Sequence, residues 1–226
     1  MLIYGLMMLL FIASWWVQNS LQSKFKKYSQ IPLNAPLTGG DVARMMLQQN
    51  GINDVSVTHV SGQLTDHFNP ANKTVNLSDP VFATNSVAAA AVAAHECGHA
   101  VQHHVGYSML KLRTSLVPIV SFASQWVQWV ILAGVVLISV FPIVLKVGIA
   151  LFALTTLFSF VTLPVEVDAS RRAVRWLETA GITQGETTEY ARKALHAAAY
   201  TYVVAAFGSL ATLLYYLAML AGGRRS

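Results

Sequence analysis

Of 226 residues, 54% are hydrophobic and 11% charged, whereas soluble globular chains carry roughly a quarter charged residues. The apolar excess falls in runs, which points to a membrane protein. The formal charge of +5 then reports on loop orientation and gives no reason to expect nucleic acid as a partner. A lone cysteine, Cys97, excludes an internal disulfide framework and any cysteine-rich zinc module.

The first apolar run, Leu2–Val17, has no basic residue before it and no small-residue cleavage site after it, so it reads as an uncleaved signal-anchor. Thr38-Gly39-Gly40-Asp41 caps a helix through Gln49 that Asn50-Gly51 stops. Asp54–Val60, "DVSVTHV", alternates like a strand. A further strand turns on Asn69-Pro70-Ala71-Asn72 into another at Thr74–Leu77. From Ser86 an alanine-rich helix carries "AAHECGHAV" (Ala93–Val101). Pro118–Phe141 and Val147–Leu163 are apolar runs expected to form a hairpin, with Pro142 and Lys146 marking the turn. "LPVEVDASRRAVRWLETAG" (Leu163–Gly181) reads as a new helical segment starting at Pro164 and ending at Gly181. The last run extends from Ala198 to Ala221. Four spans are expected, each able to cross a hydrocarbon core of roughly 30 Å.

The segments 20–115 and 165–197 hold all the lysines and arginines except Lys146, Arg224 and Arg225. The positive-inside rule places those segments in the cytoplasm, a reducing compartment that suits a free cysteine.

His95 and His99 are four residues apart, so a helix puts both imidazoles on one face, one turn apart, within reach of one zinc ion. Glu96 stands beside the first histidine, placed to take a proton from water that the ion acidifies. Catalytic zinc takes three protein ligands, and His103 does not supply the third. It lies about 12 Å along the axis from His95 on a regular helix, and no glycine separates it from His99 to break that helix. His103 is read as a polar helix-end position or as a group supporting the ligands from behind. Glu166 and Asp168, on the helix after the third span, are the only carboxylates between Glu96 and Glu178, and Glu166 is expected to complete a His-His-Glu set. Asp168 is expected to orient a ligand histidine. The alternative makes both carboxylates helix N-terminal charges or partners of Arg171 and Arg172. A free sheet edge at Thr74, Val75, Asn76 and Leu77 is expected to bind substrate by main-chain hydrogen bonds.

"LTGGDVARMMLQQNGI", "GQLTDHFNP", "VNLSDPVF", "SVAAAAVAAHECGHAVQH", "LPVEVDASRRA" and "AAAYTYVVAA" together resemble the YugP-type bacterial membrane zinc metallopeptidases, in the same order from about Leu33 to Ala206. The resemblance implies a gluzincin-like zinc peptidase with His95 and His99 as ligands, Glu96 as base and Glu166 as third ligand. Larger gluzincin membrane proteases often carry an aspartate four residues after the ligand glutamate; here that position is Ser170. The fold expected is mainly α, a polytopic membrane protein with about four transmembrane helices and a small α+β zincin-like cytoplasmic catalytic domain. Its parts would be an anchor (1–20), the segment with the His-Glu-x-x-His helix (21–115), the hairpin (116–163), the carboxylate helix (164–197) and a C-terminal span with tail (198–226). The function expected is hydrolysis of peptide or protein substrates, membrane proteins among them, by one zinc ion per chain. Two other readings are an intramembrane site-2-type protease and a non-catalytic zinc-binding scaffold. A span of roughly 20 apolar residues cannot be drawn through His95, and a structural site needs no base at Glu96.

Overall fold

The computed structural model describes residues 2–222, with side chains described from residue 7 onward. The chain is mainly helical: α1 Leu2–Tyr28, α2 Gly39–Gln49, α3 Asp79–Phe82, α4 Val87–His104, α5 Ser108–Val136, α6 Pro142–Thr179 and α7 Glu186–Gly222. Three strands, β1 Ser56–Val60, β2 His67–Asn69 and β3 Thr74–Ser78, form one small sheet.

Two compact units result. The first gathers residues 1–16, 111–163 and 201–226, and the second gathers 17–110 and 164–200. Among the described residues α5, α6 and α7 are long and apolar enough to cross a membrane. The expected first span lies in α1, but its opening side chains fall outside the described residues, as do Arg224 and Arg225.

In the first unit α5 and α6 approach at glycines. A Cβ on Gly134 would stand 2.5 Å from Leu145 Cα, and one on Gly148 would stand 2.8 Å from the Ile131 side chain. Small residues at such crossings let apolar helices pack where no hydrophobic drive exists between them. Thr156 Oγ1 and Ser209 Oγ, 2.6 Å apart, add a hydrogen bond between α6 and α7.

Two helix boundaries differ from expectation. The hairpin turns at residues 137–141, and Pro142 opens α6, so Lys146 lies inside a helix. Proline suits that place because a first-turn N–H has no helical partner to lose. Pro164 does not start a new segment either, since α6 runs through it unbroken. Proline removes one backbone bond, which long membrane helices tolerate when their surroundings hold the rest of the helix in place.

In the second unit Thr38 caps α2 reciprocally. Its Oγ1 accepts from the Asp41 N–H at 3.2 Å, and its own N–H donates to Asp41 Oδ2 at 3.0 Å. Ser86 Oγ likewise accepts from the Ala89 N–H and starts α4. Val42, Met46, Val75, Leu77 and the alanines of α4 are all buried in one core, to which α6 contributes Ala173 and Leu177. An alanine face costs little side-chain entropy and keeps α4 close to its neighbours.

The sheet order is β1-β3-β2, with β1 parallel and β2 antiparallel to β3. Thr74, Val75, Asn76 and Leu77 therefore belong to the central strand. Both of its edges are already paired, so a peptide cannot add to it, contrary to expectation. The free edges belong to β1 and β2.

Candidate metal centre

All groups of the site come from the second unit. The helix α4 remains regular from Val87 to His104, so His95 and His99 sit on one face, with ring centroids 4.8 Å apart and planes nearly perpendicular. Glu166 comes from α6 and is almost fully buried. Its Oε2 lies 3.2 Å from His95 Nε2 and 3.6 Å from His99 Nε2. One ligand atom from each residue falls within a 4.8 Å cluster, and among the described residues this is the one such group of three histidine, cysteine or carboxylate side chains. Two imidazole nitrogens and one carboxylate are a donor set that fits zinc.

The other ring nitrogens also have partners. His95 Nδ1 is 3.2 Å from Ser170 Oγ, and His99 Nδ1 is 3.0 Å from Gln102 Oε1. With Nδ1 engaged on both rings, the two Nε2 atoms are the ones aimed at the carboxylate. Such outer contacts fix ring orientation in metal sites. Burial alone would disfavour a charged His99, but its hydrogen bond to Glu166 and the charges of Glu96 and Glu166 outweigh that. Metal-free His99 thus holds its proton above the usual imidazole range.

Glu96 points elsewhere. Its Oε2 accepts from the backbone N–H of Phe68 on β2 at 3.0 Å, which ties the carboxylate to the sheet edge next to the histidines. Phe68 stands opposite Val75 in the antiparallel pair, and since its N–H is spent on Glu96, its backbone faces away from β3.

Asp168 does not reach a histidine. It accepts from Gln102 Nε2 at 2.9 Å and from Arg172 Nε at 2.6 Å. The carboxylate thus pairs with an arginine one turn on, Arg172 and not Arg171. His103 is exposed at the end of α4, its ring 5.8 Å from that of Phe68, and is not in the metal cluster. Gln102 and Ser170 carry the direct contacts to the histidines. Ser170 follows Glu166 by four residues on α6, so one face of that helix presents both to His95.

The helices α4 and α6 close on each other at Gly98, where a Cβ would stand 2.7 Å from the Ala169 carbonyl oxygen and 3.1 Å from its Cα. Backbone cannot yield as a flexible side chain would. Gly98→Ala should therefore cost about 1–3 kcal/mol by overpacking and pull Glu166 from the histidines. Chemical denaturation and zinc titration together would check this; unchanged values in both would contradict the close approach.

A model of the family described as "Putative neutral zinc metallopeptidase" matches residues 3–221. The chain belongs to this family. It is also similar to "Putative membrane protease YugP" of Bacillus subtilis (strain 168), with 41% identity over 211 residues covering 93% of each chain. No solved structure matches. Family membership implies zinc, and His95, His99 and Glu166 form the group that can take it.

Proposed function

We propose that the chain is a membrane-bound zinc-dependent endopeptidase whose active site faces the cytoplasmic membrane surface. One zinc ion per chain would be held by His95, His99 and Glu166. The observation that carries the reading is the convergence of both Nε2 atoms on Glu166 Oε2, with a second carboxylate, Glu96, beside them at a sheet edge. A bound zinc supplies Lewis acidity, which acidifies water and polarises a carbonyl.

The residues supply the rest. Glu96 takes the proton of the attacking water and returns it to the leaving amine. Ser170 and Gln102 keep the imidazoles in register. An extended peptide would pair along the outer edge of β2, taking over the Phe68 N–H as Glu96 turns to the attacking water, which puts its scissile bond next to Glu96. This replaces the central strand as the substrate edge. The substrates are peptides or proteins, membrane proteins included.

Helix α1 serves as a fourth span. An intramembrane site-2-type mechanism has less support, because α4 is not among the candidate spans and ends in exposed His103 and His104. A scaffold reading leaves the seating of Glu96 against Phe68 without a purpose.

Purified protein in detergent should cleave unstructured peptides, lose activity to a chelator and regain it with stoichiometric zinc. Undiminished cleavage after complete metal removal would sink the proposal. Orientation is tested by labelling Lys26→Cys and Lys146→Cys in intact cells. The native background is quiet, since Cys97 is fully buried and burial, aided by the Glu96 charge, pushes its thiol far above the ordinary range. Only position 146 should react from outside, and labelling of position 26 would reverse the topology.

A further inference from the structure

Gln102 is fully buried on α4, one turn past His99, and each end of its amide has a defined partner. Its Nε2 stands 2.8 Å from the Val165 carbonyl and 2.9 Å from Asp168 Oδ2. Both of those oxygens accept, so the nitrogen must face them and Oε1 must face His99. An amide oxygen also only accepts, so His99 Nδ1 must carry a proton, and in the neutral ring Nε2 keeps its lone pair on the Glu166 side. Asp168 is held in turn by Arg172, whose guanidinium lies 6.0 Å over the Tyr107 ring.

We propose that Gln102 is a positioning residue that locks His99 in the Nδ1–H tautomer and ties it to the α6 backbone beside Glu166. Asp168 and Arg172 then act on metal affinity through this amide. The inference rests on the zinc reading above. It turns a side chain that could pass for core packing into the link between the two helices that supply the ligands.

The test is zinc affinity of the full chain by chelator competition, with nitrogen NMR of isotopically labelled histidine reporting the tautomer in the zinc-loaded protein. Gln102→Met keeps the length and apolar volume but removes acceptor and donors. It should weaken zinc binding about 10- to 100-fold, the range seen when outer partners of ligand histidines are lost. Gln102→Glu keeps an oxygen acceptor facing His99 and gives up the donors to Val165 and Asp168, so it separates the tautomer lock from the tie to α6. It should show His99 still protonated at Nδ1, and it remains informative if Gln102→Met fails to fold. Folded Gln102→Met with affinity within about twofold of wild type would overturn the inference, as would a Gln102→Glu chain whose His99 carries no proton at Nδ1. If zinc binding responds to Glu166→Ala but not to Gln102→Met, only this inference falls. A wild-type chain that binds no zinc overturns it together with the zinc reading.

Discussion

Glu96→Gln should keep about one zinc per chain and lose roughly 10²–10⁴-fold in turnover, the range expected for a positioned general base. The substitution preserves shape, and its amide oxygen can still accept from the Phe68 N–H that holds the native carboxylate at 3.0 Å. What it removes is the capacity to take a proton. The three residues that converge for the ion do not include Glu96, so metal content should not change. Elemental analysis and peptide turnover on the same preparation separate the two effects. Loss of zinc in step with activity would make Glu96 part of the metal cage and end its role as base.

The motif in α4 was legible because its meaning depends only on helix periodicity. Residues four apart share a face in any regular helix, and buried alanines leave α4 no reason to bend. Glu166 was legible by chemistry, as a carboxylate on the helix following an apolar run. Gln102 was not, because a glutamine directly before two histidines reads as the polar end of a helix. Only the packing of α6 shows that it is buried and bonded on both sides.

Strand order was likewise hidden. Alternation and turn residues reveal three short strands, but β3 pairing with both β1 and β2 is a long-range choice that no local pattern encodes. The continuation of α6 through Pro164 has a related cause. A proline normally disfavours the helix interior, and here packing on both sides of it outweighs that local preference.

Glu166→Ala should weaken zinc binding at least about tenfold, while His103→Ala should leave stoichiometry and affinity unchanged. The geometry separates the two residues. Glu166 Oε2 stands within 3.2 Å and 3.6 Å of the two Nε2 atoms, whereas His103 lies further along an unbroken α4, exposed beside Phe68. Removing the carboxylate leaves two neutral imidazoles to hold a doubly charged ion in a buried site. It deletes both a ligand and the nearest compensating charge. Asp168→Ala should cost less affinity than Glu166→Ala, because its effect passes through Gln102, which keeps its bond to Val165. Calorimetric zinc titration of the three variants in one detergent gives the order directly. Zinc lost in His103→Ala but kept in Glu166→Ala would require α4 to break after His99, and the His95–His99–Glu166 cluster would then not be the metal site.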